Sequence, residues 1–144
     1  MAVPIGRTLG TILLVDDHSP LLKLVTTILE GANFKVIPTT SAKQAIRLEA
    51  SFPATIDLLL SDVRIGSMSG LILAKRLQER RPEMRVMLMS GYPCRALLVP
   101  HEGWHYIDKP FAATVLVTRI QHVLRERQSQ DKAAKAGSSI ETYV

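Results

Sequence analysis

Thr11-Ile12-Leu13-Leu14-Val15-Asp16-Asp17-His18-Ser19-Pro20 is the stretch whose reading decides the fold. A short apolar run that stops at two carboxylates has the pattern of a strand buried on both faces, with its carboxyl end at the surface. Ser19 followed by Pro20 predicts an N-cap with proline at the first helical position. Leu21, Leu22, Leu24, Val25, Ile28 and Leu29 then trace one helical face, which Gly31 ends.

The alternation continues outward from that segment. Phe34 to Ile37 reads as a second strand and Ser41 as the cap of a second helix reaching about Ala50. Ile56 to Ser61 is a third, fully apolar strand that ends at Asp62. After a loop from Arg64 to Met68, Ser69 caps a helix bearing Leu71, Leu73, Ala74 and Leu77, and Arg81-Pro82 terminates it. Val86 to Met89 is strand 4 and His105 to Ile107 a short strand 5. Between them Gly91, Pro93, Pro100 and Gly103 predict a short or irregular fourth helix. Ala113, Leu116, Val117, Ile120, Val123 and Leu124 mark the face of a final amphipathic helix. Strand and helix in repeated alternation imply an α/β fold with right-handed crossovers, a parallel sheet and helices on both faces.

Composition limits the alternatives. The 144 residues, 47% hydrophobic, suffice for one core and are too few for two ordinary domains. The expected division is an N-terminal extension over 1–10, one domain over 11–127 and a polar, disordered tail over 128–144. That tail is too short for a helix-turn-helix, so direct DNA binding by this chain is not expected. No apolar run approaches the roughly 20 residues of a membrane span, and the first ten residues carry no secretory h-region, so a cytoplasmic location is expected. The lone Cys94 excludes an internal disulfide or a thiolate zinc cluster. A net charge of +5 arises from basic residues scattered along the chain, without the interleaved aromatics of a nucleic-acid surface. His18 reads as a polar loop residue, and His101, His105 and His122 as structural or exposed.

In doubly wound sheets, ligands bind outside the carboxyl ends of the strands. Those ends here supply Asp16 and Asp17, Asp62, Ser90 and Lys109. Three carboxylates brought together repel unless a cation shares the site, and carboxylates with water and a carbonyl suit Mg2+. A carboxylate flanked by a metal and an ammonium is well placed as a nucleophile toward a phosphoryl donor. Ser90 could donate a hydrogen bond to a phosphoryl oxygen.

Leu13-Leu14-Val15-Asp16-Asp17, Ser61-Asp62-Val63, Met89-Ser90-Gly91 and Asp108-Lys109-Pro110-Phe111 together resemble the response-regulator receiver signature over about residues 10 to 126. The resemblance implies a flavodoxin-like five-stranded sheet of order 2-1-3-4-5. It implies that Asp62 is phosphorylated, that Asp16, Asp17, Asp62 and the backbone carbonyl of Arg64 hold Mg2+, and that Ser90 and Lys109 contact the phosphoryl group. Ser90 and Tyr106 would form the switch, and the Lys109-Pro110 peptide would be cis. The implied partners are a histidine kinase or a histidine phosphotransfer protein, together with a downstream protein; homodimerisation is left open. Such a chain is a signalling switch rather than an enzyme.

Three departures from the family pattern stand out. Gly66 occupies the loop position where Pro is usual, which predicts a more mobile loop. The stretch from Ser90 to Lys109 is short, leaving Trp104 with either a core or a contact role. The final helix starts at Ala112-Ala113 without a Ser or Thr cap. Arg64 and Tyr92 stand where they could obstruct a hydrolytic water. Two further readings are a phosphate-independent scaffold and a Mg2+-dependent phosphatase. The phosphatase pattern places a second Asp two positions after its nucleophile, whereas Asp16 is followed by Asp17 and His18.

Overall fold

The computed structural model describes residues 8–91 and 103–140, with the side chains of the last helix described to residue 126. Five parallel strands form the sheet: β1 (Thr11–Val15), β2 (Lys35–Thr39), β3 (Leu58–Asp62), β6 (Arg85–Ser90) and β7 (His105–Asp108). Their order is β2-β1-β3-β6-β7, the expected 2-1-3-4-5 once a small hairpin is set aside. That hairpin, β4 (Arg64–Ile65) and β5 (Met68–Ser69), occupies the predicted loop after strand 3. The helices are α1 (Ser19–Gly31), α2 (Ala42–Ser51), α3 (Gly70–Arg80) and α4 (Ala113–Ile140). The predicted short helix between strands 4 and 5, with Tyr92, Cys94 and His101, lies outside the described residues, as does most of the N-terminal extension.

The period of two along each strand divides the core into two layers. Leu13, Val15, Leu59, Val86 and Leu88 face α2 and α3, meeting Ala45, Leu73, Ala74 and Leu77. Ile12, Leu14, Leu58, Leu60, Met87 and Met89 face the other side, against Val25 and Leu29 of α1 and Leu116, Ile120 and Val123 of α4. All five residues of β1 are buried, which is why the segment reads as one apolar run rather than as alternation. Trp104 is buried in the α2/α3 layer, and its Nε1 donates to Gln78 Oε1 at 2.9 Å, so its role in the fold is packing.

Helix boundaries follow local chemistry, with one correction to the sequence reading. Ser41 and Ser69 are caps as expected, accepting from the amides of Gln44 and Leu71. Ser19 is not: α1 starts one residue earlier than expected, and His18 is the N-cap without a side-chain bond. The helix does end at Gly31, and the left-handed residue that closes it is Asn33, at φ 73, where its N–H donates to Glu30 O while the N–H of Phe34 reaches Leu29 O. This is a Schellman closure, with Asn taking the left-handed position.

Helix α4 continues to Ile140, through residues the sequence reading assigns to the polar tail. Apolar periodicity ends near residue 128, but Gln, Lys and Ala beyond it are good helix formers and contain no proline, so the backbone continues where the core-facing stripe stops.

Helices α2 and α3 are joined by an ion pair absent from the sequence reading. Glu49, 3% exposed, receives Arg81 Nε at 3.0 Å and Arg80 Nε at 2.8 Å. Arg81 also donates to the carbonyls of Glu49, Phe52 and Ala54, closing the turn that delivers the chain into β3.

Candidate functional site

Strands β1, β3, β6 and β7 end at one rim, which brings Asp16, Asp17, Asp62, Ser90 and Lys109 together from four separate segments. Register sets their heights: Val15 pairs with Ser61, Asp62 with Met89, and Ser90 with Asp108. Lys109 Nζ donates to Asp16 Oδ2 at 2.9 Å and to Asp62 Oδ2 at 3.0 Å. Burial by itself would lower the lysine pKa. The hydrogen bonds to Asp16 and Asp62 and the attraction of both carboxylates outweigh it, so the pKa lies above the ordinary lysine value.

Each carboxylate is also oriented by a main-chain amide. Asp16 Oδ1 accepts from His18 N at 2.9 Å, Asp62 Oδ1 from Arg64 N at 3.3 Å, and Asp17 Oδ2 from Gly66 N at 3.0 Å. Asp16 is buried, Asp62 half-buried and Asp17 exposed, so the cluster opens to solvent on one side. One oxygen from each of the three lies within 4.8 Å of the others. Three carboxylates against one ammonium leave a local charge of two negatives, which a hard dication with oxygen preference would balance. The donor set therefore fits Mg2+.

Ser90 lies at the end of β6, its Oγ buried and without a hydrogen-bond partner among the described residues. Its carbonyl accepts from Lys109 N at 2.9 Å, tying the lysine backbone to the strand. Tyr106 is half-buried on β7 against the α2/α3 layer. The Lys109-Pro110 peptide is cis. Of the histidines, His18 contributes only its amide to the site. His105 and His122, for which the sequence offers no partner, both face Glu126, with Nε2 at 3.9 Å and 3.2 Å from its oxygens.

Gly70 is a site residue that sequence reasoning missed. A β-carbon there would collide with the carbonyl oxygen of Asp62, which also accepts from Ser61 Oγ at 2.8 Å. The Gly70 amide donates to Val63 O at 2.6 Å. The first turn of α3 is thus pressed onto the backbone that carries Asp62. The available signal was a glycine at the first position of a helix, where nothing in helix chemistry asks for one.

The sequence matches the family described as response regulator receiver domain across residues 12–121. The chain belongs to that family. Receiver domains are phosphoryl-accepting switches of two-component signalling and bind Mg2+ at an acidic pocket. This one is 31% identical over 126 residues to the DNA-binding transcriptional regulator NtrC of Escherichia coli (strain K12), covering 85% of this chain and 26% of that protein. It is 30% identical over 138 residues to the C4-dicarboxylate transport transcriptional regulatory protein DctD of Rhizobium meliloti (strain 1021), covering 89% and 29%. The receiver thus spans less than a third of the length of these relatives. Among solved structures, the receiver domain of the hybrid histidine kinase CckA is similar at 26% identity and TM-score 0.70, covering 80% of this chain and 99% of that one. A receiver domain protein from Clostridium thermocellum is similar at 25% identity and TM-score 0.76, covering 85% and 99%. Among the described residues no helix is long and apolar enough to cross a membrane.

Proposed function

We propose that Asp62 of this receiver takes a phosphoryl group from the phosphohistidine of a histidine kinase or a histidine phosphotransfer protein, and that the resulting charge switches partner binding. The observation that carries this reading is the shared ammonium of Lys109, hydrogen-bonded to Asp62 and Asp16 within a cluster of three carboxylates.

Asp16, Asp17 and Asp62, with the backbone carbonyl of Arg64, would hold Mg2+, which supplies charge neutralisation for the incoming phosphoryl oxygens. The chain's own groups do the rest. The Arg64 amide and the Lys109 ammonium fix Asp62, whose carboxylate oxygen attacks phosphorus as the bond to the donor imidazole breaks. Lys109 then compensates the oxygens of the acyl phosphate. An apolar groove lined by Leu21, Leu24, Ile28 and Phe111 opens beside Lys109 and offers the donor protein a surface to cover.

The Ser90 hydroxyl, without a partner among the described residues, supports its part in the switch: a phosphoryl oxygen would give it an acceptor, and Tyr106 on the neighbouring strand would answer the movement. Incubation with Mg2+ and a small phosphodonor, followed by intact-mass measurement, tests the reading. Wild type gains one phosphoryl group and Asp62→Ala gains none. A wild type that never gains mass would favour a phosphate-independent scaffold, and catalytic release of phosphate from unrelated monoesters would favour a phosphatase.

A further inference from the structure

The three carboxylates of the pocket are not held alike. Asp16 and Asp62 share Lys109, while Asp17 is exposed and its one described hydrogen bond comes from the main-chain N–H of Gly66, at 3.0 Å and 49 residues away in sequence. An exposed aspartate without that bond would sample several rotamers, and ordering it around a cation would carry an entropic cost.

The turn that aims the N–H is built for the purpose. Gly66 has φ +58, in the left-handed region, and a β-carbon there would meet nothing within 4 Å, so the requirement lies in the backbone conformation and not in space. Pairing of Arg64 with Ser69 and of Ile65 with Met68 fixes the two arms of the turn, and Ile65 is anchored in the core at 4% exposure. Proline, with φ near −65° and no N–H, could make neither the conformation nor the bond. The glycine that the sequence suggests as a source of mobility is instead tied across the mouth of the pocket.

We propose that the Gly66 amide is a positioning group of the cation pocket, fixing the Asp17 carboxylate before metal arrives and making the β4–β5 turn part of the metal-binding unit. An ionised carboxylate has lone pairs for both an N–H and a cation, so tether and ligation coexist. The inference rests on Asp16, Asp17 and Asp62 forming the Mg2+ pocket.

Two measurements test it. In metal-free, 15N-labelled protein, Asp17→Ala shifts the Gly66 amide proton upfield and speeds its exchange with solvent; an amide that does not respond would overturn the tether. In calorimetric Mg2+ titrations, Gly66→Asn, which keeps the N–H and tolerates the left-handed region, binds like wild type, while Gly66→Pro binds roughly tenfold more weakly, the scale expected when a group supporting a metal ligand is lost. A folded Gly66→Pro protein with wild-type Mg2+ affinity would overturn the positioning role. A wild type that binds no Mg2+ would remove the cation pocket itself and this proposal with it, whatever the amide shows.

Discussion

Lys109 Nζ meets Asp62 Oδ2 at 3.0 Å across 47 residues of sequence, and the same ammonium holds the buried Asp16. Replacing it by methionine separates two effects that a simple loss of the site would merge. The pocket becomes more negative, so Lys109→Met should bind Mg2+ more tightly than wild type. Phosphorylation by a small donor should nonetheless slow by roughly a hundredfold, because a preorganised positive group is gone. Calorimetry and timed intact-mass spectra measure the two; parallel losses in both would contradict this account of the lysine. The raised pKa sets a sign as well: its stabilising contribution is full below the ordinary lysine value and is lost as pH rises through the folded value, so Lys109→Met should lose less stability than wild type in strong alkali.

Gly70→Ala places a methyl group against the carbonyl of Asp62. Overpacking of this kind costs about 1 to 3 kcal/mol. Here the strain falls on the residue proposed as the nucleophile, so the rate of phosphoryl uptake should drop along with the melting temperature. Unchanged uptake in a folded Gly70→Ala protein would show that the first turn of α3 does not position Asp62.

The two arginines on Glu49 should behave differently although both lie within hydrogen-bonding distance. Arg81→Met leaves a buried carboxylate and three carbonyls without their donor, and should cost about 3 to 5 kcal/mol in denaturant unfolding. Arg80, whose side chain is 61% exposed, should cost less than about 1 kcal/mol when changed to alanine. Equal costs would mean that the helix clamp is shared.

His105 gives the fold a pH dependence of known sign. Burial lowers its pKa below the ordinary histidine value of 6.5; Glu126 opposes the shift, while Arg85, Arg119 and His122 add to it. Between the folded value and 6.5 the unfolded chain holds a proton that the folded chain does not, so stability rises with pH across that window. His105→Gln should flatten this slope relative to wild type in melts taken below pH 6.5.

Ser90→Ala removes a buried hydroxyl without a described partner, so stability should hold or rise slightly. If Ser90 reads the phosphoryl group, Asp62 should still take up phosphate in this variant while the chemical-shift response of Tyr106 is lost.

Much of this was legible in the chain, for identifiable reasons. Strands buried on both faces write themselves as apolar runs, so β1 and β3 could be read directly, and the polar residue at the end of each run marked the rim. Ser41 and Ser69 announced their helices because capping is local chemistry. What escaped depends on contacts between distant residues or on a particular backbone angle. Nothing near Glu49 in sequence reveals an arginine 32 residues on, and nothing near Asp62 reveals that Gly70 must lack a side chain. The end of α1 at Gly31 was legible, but the left-handed angle that closes it belongs to Asn33. The last turns of α4 escaped because periodicity reports burial, and a helix can continue on propensity after its buried stripe has ended.

The bond from Lys109 N to Ser90 O has a mechanical consequence. The main chain of Ser90 is held on the β7 side, paired with Asp108 in the ladder and bonded through its carbonyl to the lysine, while its neighbour Met89 pairs with Asp62 of β3. If Asp62 is phosphorylated as proposed, the easiest response left to Ser90 is torsion about its Cα–Cβ bond. The strand serves as a fixed axle and the hydroxyl as a rotor, so a signal could leave the pocket without the sheet bending.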